Sequence, residues 1–87
     1  MRIYETPKFK RLRKKIKEEN EKSALKEAIL KIMETPLIGK KLKGEFKDLR
    51  SYKYFVKGQQ RRLIYQYKEE ENSIYLLSFE PREGIYK

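Results

Sequence analysis

The sequence predicts an α+β fold, with an N-terminal strand, a helical hairpin and then a three-stranded antiparallel meander, in the order β-α-α-β-β-β. Three observations predict it. Residues 2–5 alternate in the manner of a short strand, residues 7–33 carry two apolar stripes at helical spacing, and residues 52–80 switch to a period of two. With 87 residues the chain has room for one domain, 1–87, near the size at which a single core only just holds a fold together. A hydrophobic share of 38%, a third of it aromatic, supplies that core despite 41% charged residues.

The opening strand is "RIYE", Arg2 to Glu5. Thr6 and Pro7 then read as an N-cap followed by proline at the first helical position, where its missing N–H is no loss. In the helix that follows, Phe9, Leu12 and Ile16 share one stripe. Leu25, Ala28, Ile29, Ile32 and Met33 form a second. One straight helix cannot bury both: between Ile16 and Leu25 it turns by about 900° at roughly 100° per residue, leaving the stripes on nearly opposite sides. A break within "EENEKS", residues 18–23, removes the conflict, with Ser23 as the expected cap of the second helix and Glu27 just past its first turn. The chain then folds back, and both helices cover the same sheet. Pro36, with Thr35 biased away from helix before it, ends the second helix.

After a loop containing Gly39 and Gly44, "YKYFVK" (52–57) puts Tyr52, Tyr54 and Val56 on one face and Lys53, Phe55 and Lys57 on the other. "GQQ" (58–60) is the expected turn. "RRLIYQY" (61–67) and "SIYLLSFE" (73–80) supply the last two strands, joined as a hairpin by "KEEEN". These strands complete a small antiparallel sheet.

The net charge of +10 is the strongest global statement in the sequence. Such a surface attracts polyanions by its long-range field and by counterion release, which points to RNA, DNA or an acidic protein. Heat adaptation tends to add both signs of charge, whereas here 23 basic residues face 13 acidic ones. The absence of cysteine and histidine excludes a disulfide framework, a thiolate zinc site and a histidine triad. No stretch approaches the roughly 20 apolar residues of a membrane span, and "MRIYETP" lacks the apolar core of a secretory signal, so the expected location is the cytoplasm.

Candidate functional residues form three groups. "KFKRLRKKIK" (8–17) is a basic helix face containing Lys10, Arg13, Lys14 and Lys17; it reads equally as a phosphate-contacting face, a solvated one or a membrane-surface helix. "GKKLKGEFKDLR" (39–50) places Lys40, Lys41, Lys43, Lys47 and Arg50 in or beside a loop. Lys53, Arg61, Arg62, Arg82 and Tyr86 form the third group, because antiparallel pairing brings residues distant in sequence to within about 5 Å. Without histidine or cysteine, such a set suits RNA cleavage by the substrate's own 2′-hydroxyl. That reaction needs in-line positioning, positive charge against the developing phosphorane and proton transfer at two oxygens. Tyr86 could take part as a phenolate favoured by neighbouring cations, or could simply anchor the tail on the core.

The run from "LKGEFKDLRSYKY" through "RRLIYQY" to "PREGIYK", residues 42–87, resembles the C-terminal half of the RelE/ParE superfamily of toxins from type II toxin–antitoxin pairs. The first half agrees in pattern alone. Family members show a leucine–glycine element, a basic strand, an arginine opening a "YRLVY"-like strand and a closing "HRxxVY"-like motif. These correspond here to Leu42 and Gly44, Lys53, Arg62, and Arg82 with Tyr86. The resemblance implies one of two activities. RelE-like members are ribosome-dependent mRNA endonucleases that work without metal or cofactor, whereas ParE-like members inhibit DNA gyrase. On the nuclease pattern, Arg62 would stabilise the transition-state phosphate and Lys53 would hold the backbone. Arg82 would act near the leaving oxygen, and Tyr86 would stack on a base or move protons. Lys43, Lys47, Arg50, Phe55 and Arg61, with the cations of the first helix, would bind RNA. Pro81 stands where a histidine is frequent, and Phe55 where nuclease members often carry a second cation. The +10 charge favours the nuclease, which must meet ribosomal RNA; a basic nucleic-acid-binding module without activity is the third reading. The implied partners are a cognate antitoxin with an acidic or amphipathic segment, the ribosome and mRNA, and no membrane or metal.

Overall fold

The computed structural model describes residues 1–80. Its elements are β1 (Arg2–Glu5), α1 (Pro7–Lys14), α2 (Glu19–Glu34), β2 (Lys40–Lys41), β3 (Arg50–Val56), β4 (Gln59–Lys68) and β5 (Ser73–Glu80). They build one sheet in the order β1-β5-β4-β3-β2, with α1 over β5 and α2 over β3.

Thr6 fixes the start of α1. Its hydroxyl accepts from the Phe9 N–H at 3.2 Å and donates to the Leu77 carbonyl at 3.1 Å, so one side chain caps the helix and ties it to β5. The helical break falls earlier than expected, around residues 15–18, where the Lys15 and Ile16 N–H groups turn back to the Leu12 and Arg13 carbonyls. Glu18 is the N-cap of α2, and Ser23 lies inside the helix. Glu19 and Glu21 in the first turn set negative charge against the positive end of the helix dipole, which makes a serine cap unnecessary.

The meander β3-β4-β5 is antiparallel as expected, but the whole sheet is mixed. β1 runs parallel to β5, from Arg2 opposite Ser73 to Glu5 opposite Leu76. β2 pairs with the start of β3 and is too short to carry a periodic signal. The β3-β4 turn is made by Lys57 and Gly58, with φ of 52° and 81°, rather than by "GQQ". Two successive left-handed residues match the natural twist of a hairpin, so Gln59 and Gln60 already belong to β4.

One face of the sheet holds the core. Tyr54, Val56, Leu63, Tyr65, Ile74, Leu76 and Phe79 pack beneath Phe9, Leu25, Ala28 and Ile32. Leu76 and Phe79 are an odd number of residues apart, and a strict alternation would put them on opposite faces. The register shift between Ile64 and Tyr65, which face Ser78 and Leu76, inserts Leu77 as an extra residue and returns Phe79 to the core.

Tyr65 anchors the loop after α2. Its hydroxyl donates to the Pro36 carbonyl at 2.7 Å and accepts from the Gly39 N–H at 2.9 Å. A Cβ on Gly39 would lie 2.6 Å from that oxygen, closer than any real contact. Gly39→Ala is therefore expected to cost about 1–3 kcal/mol in urea unfolding, as overpacking does elsewhere.

Candidate nucleic-acid interface

The other sheet face carries no helix among the described elements. Alternation along β3 and β4 sends Lys53, Phe55, Gln60 and Arg62 there, because their neighbours Tyr54, Arg61 and Leu63 point into the helical side. Register places Lys53 directly opposite Arg62, and Arg62 opposite Glu80 of β5. Facing residues in such a pair lie about 5 Å apart. Phe55, 57% exposed, sits opposite Gln60 beside the same row. Neither Lys53 nor Arg62 makes an ion pair among the described residues. Like charges facing each other across strands destabilise a sheet, so this pair breaks a local rule that structural side chains normally obey. Glu80 partly offsets the repulsion and supplies a carboxylate at the end of the row, a residue the sequence reading passed over.

The remaining cations divide by what they touch. Arg61 does not reach the open face: it is 5% exposed, its guanidinium is ion-paired with Glu21 of α2, and it also donates to the Gln60 carbonyl. That corrects its expected place in an RNA-binding set, since alternation gives Arg61 and Arg62 opposite faces. Arg50 is likewise engaged, donating to the Gly39 carbonyl at 2.7 Å and the Leu37 carbonyl at 3.3 Å, and so bracing the loop that Tyr65 anchors. Arg13 pairs with Glu5 across α1 and β1. Lys10 and Lys14 are exposed on α1, which packs on the helical side of the sheet, and Lys17 is exposed in the connection to α2. Lys43 and Lys47 are exposed around the short turn Gly44–Phe46 that precedes β3. Arg82 and Tyr86 lie outside the described residues.

A second feature of the open face is aromatic. Tyr4 and Tyr75, opposite each other on β1 and β5, stack with ring centroids 5.0 Å apart and planes 19° off parallel. The Lys68 ammonium sits 5.1 Å from the centre of the Tyr75 ring. Alternation alone marks both tyrosines as facing away from Ile3 and Ile74, but their meeting depends on the parallel β1-β5 pairing.

Two electrostatic consequences follow from the ion pairs and burial. The Arg13 guanidinium holds the Glu5 carboxyl below its ordinary pKa by hydrogen bonding, against a smaller opposing effect of burial. A carboxyl depressed in this way stabilises the fold above its unfolded pKa of about 4.3, and that contribution fades as the pH falls through the folded value. Glu5→Gln is expected to flatten the fall of Tm with acidification below about pH 4. Burial pushes the Tyr65 phenol up, which keeps its hydroxyl a donor to Pro36.

Among the described residues no group of three or more acidic side chains could hold a metal ion. No described helix is long and apolar enough to cross a membrane.

A strand, two helices on one face of a mixed sheet and a cationic row on the other make a small α+β domain. The family model described as "ParE-like toxin of type II bacterial toxin-antitoxin system" matches residues 3–87. The chain belongs to that family and, with it, to the RelE/ParE superfamily. No curated protein matches it by sequence. Among solved structures, the chain is similar to one in the intact E. coli RelBE toxin–antitoxin complex, at 20% identity, covering 94% of this chain and 96% of that one with a TM-score of 0.72. The isolated E. coli RelE toxin is similar at 21% identity, 98% and 89% coverage and a TM-score of 0.72. The conserved hypothetical protein HP0892 from Helicobacter pylori shares 18% identity, with 100% and 99% coverage and a TM-score of 0.56. At these identities the likeness is one of fold.

Proposed function

We propose that this toxin is a ribosome-dependent mRNA endonuclease. The observation that carries the reading is the facing pair Lys53 and Arg62, two exposed cations that make no ion pair among the described residues and lie on the sheet face opposite the helices. In the proposed reaction the 2′-oxygen forms a bond to the adjacent phosphorus while the bond from phosphorus to the 5′-oxygen breaks. The products are a cyclic phosphate and a free 5′-hydroxyl. Arg62 meets the charge that builds on the non-bridging oxygens, where a preorganised donor acts most strongly. Lys53 holds the backbone in line. Glu80, beside Arg62, supplies an acceptor for the 2′-hydroxyl proton, and Arg82 and Tyr86 keep the roles that the family motif gives them at the leaving oxygen and the base.

An antitoxin partner follows from the family, and the E. coli complex is one of toxin with antitoxin. A chain of net charge +10 suits an acidic amphipathic segment as its inhibitor. The matched family is described as ParE-like, and the second reading is the one that resemblance to ParE-like members implies, inhibition of DNA gyrase. Primer extension on mRNA from cells expressing the chain separates the two. Cuts at codon boundaries of translated messages support the nuclease, whereas double-strand DNA breaks that need gyrase, with intact mRNA, overturn it.

A further inference from the structure

Resting on that reading, we propose that the Tyr4–Tyr75 stack is a second RNA subsite, where an unpaired base of the bound strand continues the column by lying on the outer face of the Tyr4 ring. The column runs across three strands, with Lys68 on β4 at its inner end, then Tyr75 on β5, then Tyr4 on β1. β1 is the edge of the sheet, so the column ends in the Tyr4 ring, and Tyr4 is 39% exposed. Each ring has a polar partner at its hydroxyl. The Tyr75 hydroxyl donates to a Glu71 carboxylate oxygen at 2.8 Å, and an Arg2 guanidinium N–H lies 3.4 Å from the Tyr4 hydroxyl. A preset ring surface binds a base with little ordering cost, and every base has a face to offer it.

The subsite lies on the same face as the cationic pair. Tyr75 is opposite Gln66, about 13 Å along β4 from Arg62 at roughly 3.3 Å per residue, and two strand spacings of about 4.8 Å lead across to Tyr4, which places it about 16 Å from Arg62. One single strand of a few nucleotides can therefore touch both. The two ends differ in charge. Lys53 and Arg62 make a positive spot, whereas Arg2 and Lys68 at the aromatic end are countered by Glu71 and its neighbours Glu69 and Glu70. The aromatic end thus recognises the base by stacking, and the cationic end recognises phosphate.

This division gives a clean test. The probe is a short oligoadenylate, 2′-O-methylated so that it cannot be cut and carrying one 2-aminopurine, titrated into the whole chain over a range of salt. The expected result is that Tyr4→Leu weakens binding about tenfold and abolishes the 2-aminopurine quench without altering the slope of log affinity against log salt. Tyr4→Phe should match the wild type, and Lys53→Ala should reduce the slope by about 0.7. An upfield shift of the Tyr4 ring protons when the oligonucleotide binds the wild type is expected as well, and needs no folded Leu variant. Equal affinity of Tyr4→Leu and wild type, or unmoved Tyr4 resonances, overturns the subsite while leaving the nuclease reading in place. Absence of any binding by the wild type overturns the subsite too, and codon-boundary cutting in cells then judges the nuclease separately.

Discussion

Replacing Arg62 with alanine is expected to slow cleavage of ribosome-bound mRNA by about 10²–10³-fold, the usual effect of removing one donor aimed at charge that develops in the transition state. Single-turnover kinetics on purified translating ribosomes reads this directly. The fold should be unaffected. Arg62 is exposed and pairs with no acid among the described residues, so its removal relieves repulsion from Lys53, and stability should change by no more than about 0.5 kcal/mol. Unchanged cleavage by a folded Arg62→Ala variant would remove this residue from the reaction. Its neighbour in sequence makes the control, because Arg61 faces the other way and Arg61→Leu should leave the chemical step intact.

Glu21→Ala is expected to cost about 3 kcal/mol of stability, or roughly 15 °C in Tm for a chain of this size. The Arg61 guanidinium is enclosed, with 5% of its side chain exposed, and Glu21, itself 19% exposed, is its acidic partner. Removing the carboxylate strands a charge between α2 and β4, which costs more than the pair itself contributes. The distinguishing measurement is the double variant Glu21→Ala with Arg61→Leu. Thermal unfolding should show it recovering most of the loss, since a packed apolar side chain replaces a buried ion pair with little penalty. Equal Tm for wild type and Glu21→Ala would mean that the contact carries no weight.

Much of this architecture was legible in the residues. The conflict between the Phe9–Leu12–Ile16 and Leu25–Ile32 stripes demanded a helical break, and the alternation in 52–57 set Lys53 and Phe55 on the face opposite Tyr54 and Val56. Ser23 misled because a good capping residue says nothing of whether a cap is needed, and the acidic first turn of α2 supplied the dipole compensation instead. Pairing between distant segments was the harder part. Nothing local to "RIYE" announces a parallel partner in β5, so the mixed sheet and the tyrosine column were hidden. In the candidate site, the grouping of Arg61 with Arg62 ignored the rule that adjacent strand residues face apart. Arg50 was read as a loop cation because its two carbonyl partners, on Gly39 and Leu37, are brought to it only by the Tyr65 anchor.

The most direct measurement is the position of the scissile phosphate in a cryo-electron microscopy structure of the chain on a ribosome whose mRNA is blocked at the 2′-oxygen. A phosphate within about 3 Å of donors on both Lys53 and Arg62, over the sheet face opposite α1 and α2, is the expected result. A phosphate held instead by Lys10 and Lys14 of α1 and Lys17 of the connection after it, with Lys53 and Arg62 turned to solvent, contradicts it.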